Sequence, residues 1–323
     1  MKLLHELGGL RHEPAPLFIA AGFFDGVHRG HQRVIGAALD RARASGGSAW
    51  ALTLDPHPLK ILAPEKAPPL LTALPHKLEL LEQLGLAGCV VLPFTADVAH
   101  EEPENFLNEL AAALPRPAGL VIGENWTFGH GGRGNAKLLK QLAPQLGLEV
   151  QIVEPLIWSG GPVSSTRVRQ QILRGHLEAA ACMSGHFHCI HGKVVRGKGY
   201  GRTLGFPTAN LRPHDEVLPP PGVFAVYAKI DGVRYLGAAF RPDPATQPEF
   251  GGDPLIEVHF LDAHIDLYDR DIEVYLLNFL RATRRFENAA DLRQQITRDV
   301  EEIRSATAGC LTAAGELKLP ECH

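Results

Sequence analysis

No C-x-x-C pair occurs among the five cysteines, Cys89, Cys182, Cys189, Cys310 and Cys322. Their odd number and irregular spacing argue against a disulfide framework or a structural zinc site, and for a reducing cytoplasm. No apolar run approaches transmembrane length, and the N-terminus MKLLHELGGLRHEP lacks the apolar core of a secretory signal. Neither charge sign dominates: 32 Lys and Arg face 36 Asp and Glu, for a net charge of -4. Bulk attraction to nucleic acid or to a membrane surface is therefore not expected. A Walker loop, G-x-x-x-x-G-K-[ST], is missing, and so are internal repeats and a Pro/Ser linker. What remains is the composition of a globular protein, 45% hydrophobic and 21% charged, whose 323 residues suit one large or two ordinary domains.

The first half alternates strand and helix signals. LFIAAGFF, SAWALTLD, GCVVLPF, GLVIGENW and LEVQIVEPL read as strands. Between them, Val34, Ile35, Ala38, Leu39 and Ala42 give one helix an apolar face, LPHKLELLEQLG ends a second at Gly85, and PENFLNELAAAL and NAKLLKQLAPQLG read as two more. Such alternation predicts an α/β fold with a parallel, Rossmann-like sheet covered on both faces, whose ligands sit at the carboxyl ends of the strands. From about residue 186 the pattern changes to closely spaced strands, CIHGKVVRG, GVFAVYAKIDGVRYLGAAF, LIEVHFLD and DIEVYLLNFL, with DGVR as a hairpin turn. One helical stretch follows, AADLRQQITRDVEEIRSA. This predicts an antiparallel β-barrel with a terminal helix. The expected domains are 1–185 and 186–305, with a frayed, weakly patterned tail over 306–323.

Five constellations carry chemistry. In GFFDGVHRGH, residues 22–31, His28 and His31 lie one helical turn apart at a helix start that follows a strand. Free amides and the helix dipole favour anions there, and two imidazoles add donors. A metal pair, or two polar residues in an ordinary first turn, are the competing readings. In VSSTRVRQQIL, hydroxyls of Ser164, Ser165 and Thr166 precede Arg167 at another helix start, the pattern of a phosphate site or of a capped surface helix. GENWTFGHGGRG places Asn125, Trp126 and Phe128 on a loop after a strand. GKVVRGKGYGRTLGFPTANL sets Lys198 and Arg202 among glycines, then offers the hard oxygens of Thr208 and Asn210, suited to Mg²⁺. Glu257, alternating with Ile256 and Val258 in LIEVHFLD, is a general-base candidate or a solvent-facing carboxylate.

In this order, GFFDGVHRGH, LDPHP, GENWTFG, VSSTRVR, GRTLGFPTANL and IEVHFLD closely resemble the bifunctional bacterial riboflavin kinase and FAD synthetase family, from about residue 17 to residue 305. The resemblance implies a nucleotidyltransferase domain followed by a riboflavin kinase barrel. It implies that the barrel phosphorylates riboflavin to FMN with ATP, and that the first domain adenylylates FMN to FAD with a second ATP, releasing pyrophosphate. By matching position, His28 and His31 would bind ATP phosphates and stabilise the adenylyl transition state, within a phosphate-binding turn that includes Gly22, Phe24, Asp25 and Gly26. Asn125, Ser164, Ser165, Thr166 and Arg167 would complete that nucleotide site. In the kinase, Gly192, Lys193, Gly197, Lys198 and Arg202 would approach ATP, Thr208 and Asn210 would hold Mg²⁺ and phosphate, and Glu257 would be the general base. Small molecules are the implied partners, with no nucleic acid or membrane, for a cytoplasmic monomer or weak homo-oligomer. The sequence departs from the family where N-x-G-x-x-P-T-F is usual: AAFRPDPATQPEFGGDP stands there, beside the family's flavin site. Two smaller departures, Leu54 before DPHP and Trp126 where Phe is favoured, keep apolar character. FMN adenylylation alone, and a non-catalytic flavin sensor, are the alternative functions.

Overall fold

The computed structural model describes residues 1–197, 199–243, 256–263, 265–307, 317–320 and 322. Contacts divide the chain into two units, Met1–Pro69 with Leu74–Ser164, and Leu70–Ala73 with Ser165–His323.

The first unit is built on a six-stranded, all-parallel sheet in the order β1-β4-β3-β2-β5-β6. Its strands are β1 (Lys2–Leu4), β2 (Leu17–Ala21), β3 (Ser48–Asp55), β4 (Gly88–Pro93), β5 (Ala118–Gly123) and β6 (Glu149–Val153). Every residue of β2 is buried, as expected of a central strand covered on both faces. Leu17, Ile19 and Ala21 join one core with Leu107, Leu110 and Leu139 from the helices Pro103–Ala113 and Ala136–Leu142. Phe18 and Ala20 join the other, with Ile35 and Ala38 of the helix Arg29–Ser45 and Leu81 of the helix Leu74–Gln83. The five expected strands are present. The sixth, β1, is only three residues long and has no alternation to read. From β2 the chain builds outward through β3 and β4, then returns to place β5 on the opposite side of β2. This reversal makes the carboxyl ends of β2 and β5 the switch point where such sheets bind ligands. A minor hairpin, β7 (Ile157–Trp158) with β8 (Gly161–Pro162), follows β6.

The second unit is a closed antiparallel barrel in the order β10-β13-β12-β11-β14-β9. Its strands are β9 (His188–Val195), β10 (Ala209–Pro213), β11 (Gly222–Ile230), β12 (Val233–Arg241), β13 (Ile256–Phe260) and β14 (Asp271–Ala282). Asp231 and Gly232, both at positive φ, form the expected tight turn between β11 and β12. Ile190, Leu211, Phe224, Val226, Val258 and Val274 help to fill the interior. The terminal helix Ala289–Thr307 covers part of the outer wall, where Ile303 packs with Ala225, Tyr227 and Leu277. Arg281 on β14 fixes this helix by donating twice to the buried Asp299, at 2.9 and 2.6 Å.

Leu177 and Ala181 of the helix Leu177–Ser184 belong to the barrel's apolar clusters. The chain differs from expectation at two places outside the candidate sites. The tail is not frayed at its described residues: Leu317 and Leu319 pack against the outer-wall cluster. The cysteines are not all free, since Cys182 and Cys322 form a disulfide across a sequence separation of 140. Apolar packing of the tail brings these two together, which no local spacing encodes.

Candidate functional site

The turn after β2 is held in an unusual backbone path. Phe24 and Val27 adopt positive φ, 55° and 37°, and Gly26 has φ 79°. For a β-branched valine this is costly, about 1–3 kcal/mol, and it persists only where the surroundings over-determine it. Those surroundings are identifiable. The Phe23 carbonyl accepts from Thr53 Oγ1 at 2.8 Å and from Lys77 Nζ at 3.0 Å, and the Val27 carbonyl accepts from Gln32 Nε2 at 2.8 Å. Phe24 is buried, and a Cβ at Gly22 would lie 2.8 Å from its ring, so glycine is required there. Asp25 is also buried. Lys77 is buried too, and burial pushes its ammonium pKa down, with Asp25 foremost among the groups that oppose the shift.

This path delivers both histidines to the start of the helix Arg29–Ser45. His28 is the N-cap, and its Nδ1 accepts from the His31 backbone N–H at 3.3 Å. An imidazole accepting at Nδ1 carries its proton at Nε2, leaving that atom as a donor. The two rings stack at 3.6 Å with planes 15° apart, and Phe24 meets His31 edge-on at 5.3 Å. Burial, then the proximity of His28 and of Lys77, hold the His31 pKa well below its usual value. His31 is therefore a neutral hydrogen-bonding group at neutral pH, not a cation. Its Nδ1 is buried with no hydrogen-bond partner among the described residues.

Asn125 stands on the exposed turn directly after β5, closed by a bond from Trp126 N–H to the Gly123 carbonyl at 3.0 Å. The register pairs Ala21 with Ile122, so the GFFDGVHRGH turn and the GENW turn leave adjacent strands side by side. Trp126 stacks on the buried Phe128 at 4.5 Å and serves the core. Near the unit's end, a Cβ at Gly30 would lie 3.4 Å from the Val163 carbonyl oxygen, so the chain leading to Ser164 passes against the histidine helix. Ser165, Thr166 and Arg167 form the first turn of the helix Ser165–Leu173. Val168 and Ile172 are its buried face, whereas Leu173 is 52% exposed.

In the barrel, the antiparallel register sets Asn210 of β10 directly opposite Glu257 of β13. Thr208 Oγ1 donates to Glu257 Oε2 at 3.3 Å. Ile256, Val258 and Phe260 turn into the interior, which puts Glu257 and His259 on the outer face. His259 Nδ1 lies 2.8 Å from the Pro207 carbonyl oxygen, so β13 holds the PTAN stretch at two points. Burial raises the Glu257 pKa, partly offset by the Thr208 hydrogen bond. A Cβ at Gly197 would collide with the Asn210 carboxamide, and one at Gly201 would lie 3.3 Å from Thr208 Oγ1. The glycine loop thus lies directly on the Thr208–Asn210–Glu257 group. These three residues present a carboxylate, a hydroxyl and an amide oxygen together, a donor set that fits Mg²⁺.

Other candidates fall elsewhere. Gly192 and Lys193 belong to β9 rather than to the glycine loop. Gly192 is buried between β10 and β14, and a Cβ there would lie 2.8 Å from the Arg212 carbonyl carbon. Its lack of a side chain serves strand packing. Lys193 is exposed in the neighbouring strand position, and Arg202 is exposed on the short helix Tyr200–Thr203. Lys198 lies outside the described residues, as does most of the RPDPATQPEFGGDP segment; of it, Arg241 donates to the Pro219 carbonyl. Lys77 and His259 were not among the sequence candidates. A lysine within the apolar face of LPHKLELLEQLG, and a histidine two residues from Glu257, were the available signals.

Comparison with known proteins agrees with this two-part arrangement. The FAD synthetase family model matches residues 10–167, and the riboflavin kinase family model matches residues 184–307. The bifunctional riboflavin kinase/FMN adenylyltransferase of Escherichia coli K12 is 33% identical over 306 residues, covering 93% of this chain and 96% of that protein. Its Bacillus subtilis counterpart is 33% identical over 300 residues, covering 91% and 93%. A crystal structure from Streptococcus pneumoniae, described as a macrolide-efflux protein, aligns with a TM-score of 0.79 at 28% identity, covering 94% of this chain and 98% of that one. No helix among the described residues is long and apolar enough to cross a membrane. With both family models matched in order and relatives aligned across nearly their whole length, the chain belongs to the bifunctional riboflavin kinase/FMN adenylyltransferase family.

Proposed function

We propose that the chain makes FMN and then FAD, with the kinase in the barrel and the adenylyltransferase in the parallel-sheet unit. The observation that carries the reading is Glu257, joined to Thr208 and facing Asn210 on the barrel's outer face. It carries it because the RPDP departure falls in the same half of the chain, and this group stands intact despite it.

In the kinase, Glu257 accepts the proton of the riboflavin 5′-hydroxyl. The oxygen so freed attacks the γ-phosphorus of ATP, the bond to the β–γ bridging oxygen breaks, and ADP leaves. Thr208 and Asn210 would hold Mg²⁺ and the phosphates, and the ion would supply charge neutralisation on the transferring group, the main catalytic need of phosphoryl transfer. Gly197 and Arg202, with Lys198 between them in sequence, approach ATP, whereas Gly192 and Lys193 are wall residues of β9.

In the adenylyltransferase, an FMN phosphate oxygen attacks the α-phosphorus of ATP and pyrophosphate leaves. His28 donates from Nε2 to the phosphates, and neutral His31 contributes as a hydrogen-bonding group. Preorganised donors of this kind stabilise developing charge without reorganising during the reaction. Gly22, Phe24, Asp25 and Gly26 shape the turn, and Asn125, Ser164, Ser165, Thr166 and Arg167 complete the nucleotide site. The division of labour follows residues 1–185 and 186–305, with 306–323 as a tail, of which Leu317 and Leu319 pack against the barrel's outer-wall cluster.

The same reading places the enzyme in the cytoplasm, acting on small molecules as a monomer or weak homo-oligomer without nucleic acid.

The test is direct. Purified protein is incubated with ATP and Mg²⁺, plus riboflavin in one tube and FMN in another, and the flavins are resolved. FMN and FAD from the first tube, and FAD from the second, are expected. FAD from FMN without FMN from riboflavin would leave an adenylyltransferase alone. No product in either tube would leave the sensor.

A further inference from the structure

Three side chains gather where β9, β10 and β14 meet, away from the Thr208–Glu257 group. His191 lies on β9, His214 directly follows β10, and Asp271 opens β14. Backbone pairing holds the three positions: His214 N–H donates to the His191 carbonyl at 3.1 Å, and Asp271 is in register with Lys193, two residues along β9 from His191. One potential ligand atom from each side chain lies within 4.8 Å of the others. His214 Nε2 stands 3.2 Å from Asp271 Oδ1, and the two imidazole rings meet edge to face at 4.9 Å.

A hydrogen-bonded His–Asp pair does not account for the third member. His191 Nδ1 is buried and has no hydrogen-bond partner among the described residues. Beside the cluster, the buried Glu216 carboxylate faces both histidines. Buried polar atoms are nearly always satisfied, so the orphaned His191 Nδ1 calls for a ligand.

We propose that His191, His214 and Asp271 bind a divalent transition-metal ion of the zinc class. Two imidazole nitrogens and one carboxylate suit borderline ions such as Zn²⁺ and disfavour Mg²⁺, which prefers oxygen. Tetrahedral ligands at zinc distances lie about 3.3 Å apart, a spacing the His214–Asp271 pair already has. The His214 and Asp271 side chains are 47% and 49% exposed, so the ion keeps a water-filled position and exchanges with solvent. The site sits about 13 Å along β10 from Asn210, counting four residues of extended strand. It is therefore separate from the kinase's Mg²⁺, and it ties β10 and β14 together on either side of β9.

The test uses full-length protein stripped with a chelator. Zn²⁺ alone is titrated by calorimetry, Co²⁺ serves as a spectroscopic stand-in, and thermal unfolding is followed with and without Zn²⁺. Wild type is expected to bind Zn²⁺ at one site in preference to Mg²⁺, to unfold at a higher temperature with it, and to give Co²⁺ d–d bands without thiolate charge transfer. His214→Ala and Asp271→Asn change half-exposed groups, and each should weaken binding at least about tenfold. His100→Ala, in a separate surface pair with His130, should leave it intact. Unchanged affinity in His214→Ala, equal loss in His100→Ala, a thiolate band, or no binding by wild type would each overturn the proposal.

Discussion

Thr208 and Glu257 meet across the seam between β10 and β13, with the hydroxyl donating to Oε2 at 3.3 Å. The bond opposes the effect of burial on the same carboxyl group. One neighbour therefore counters the upward shift that burial in the barrel wall imposes on this carboxyl group.

Glu257→Gln is expected to lower FMN formation from riboflavin by about 10²–10⁴-fold while FMN adenylylation continues unchanged. Separate rate measurements with riboflavin and with FMN check this. Because burial raises the Glu257 pKa, the kinase rate should rise with pH along an acidic limb above the ordinary carboxylate value. Thr208→Val removes the bond that favours the charged form, so that limb should move to higher pH.

His28→Ala should do the converse, suppressing FAD formation and sparing FMN formation. The substitution also removes the helix N-cap, worth about 1 kcal/mol. His28→Asn restores a capping side chain without an imidazole. If FAD synthesis returned with Asn, the histidine would be a cap and not a phosphate ligand.

Lys77→Met deletes the ammonium that binds the Phe23 carbonyl and lies near Asp25. Loss of one charged hydrogen bond should cost about 1.5–3 kcal/mol and loosen the path that aims His28. All three tryptophans, Trp50, Trp126 and Trp158, lie in the first unit, so their fluorescence reports its unfolding selectively. FAD formation should fall more than FMN formation.

Asp299→Ala leaves Arg281 without its buried carboxylate on the barrel wall. Breaking such a pair typically costs about 3–5 kcal/mol. Hydrogen exchange should show early opening of the helix Ala289–Thr307, with protection of the sheet unit unchanged.

Buried His188, whose Nε2 lies 2.8 Å from the Val217 carbonyl oxygen, has its pKa pushed down to about 4 by burial, from 6.5. An unfolded chain takes up the proton first, so its share of stability is full above pH 6.5 and is lost as pH falls toward 4. Between pH 7 and pH 5 the barrel should lose about 2 kcal/mol on this account. All five tyrosines lie in the second unit, so urea unfolding followed by tyrosine absorbance isolates it. His188→Gln should flatten that pH dependence.

The strands with clear apolar alternation or continuous burial were legible, and so was the pairing of Glu257 with the barrel's outer face. β10 was not legible as a strand, because Pro207 and the polar Thr208 and Asn210 interrupt its pattern. What makes it one is bonding to β9 and β13, which are distant in sequence. Gly192 beside Lys193 looked like part of a phosphate loop for a similar reason. A glycine demanded by a neighbouring strand and one demanded by a phosphate are the same letter, and only the Arg212 carbonyl distinguishes them. Lys77 was hidden by its setting, since a lysine in an amphipathic helix reads as solvated until the helix is docked. The stacking of His28 on His31 followed from helical spacing, but the depth of His31 depended on Phe24 adopting a positive φ.

The placement of β2 between β3 and β5 has a consequence during synthesis. The histidine turn leaves the ribosome early, at residues 22–31, but its neighbour β5 ends only at Gly123. For roughly a hundred residues of elongation the turn has one flanking strand and an open edge. The nascent chain can form the histidine helix in that interval, yet it cannot form the crevice. A ribosome stalled before Gly123 would release a fragment carrying both histidines and no nucleotide site.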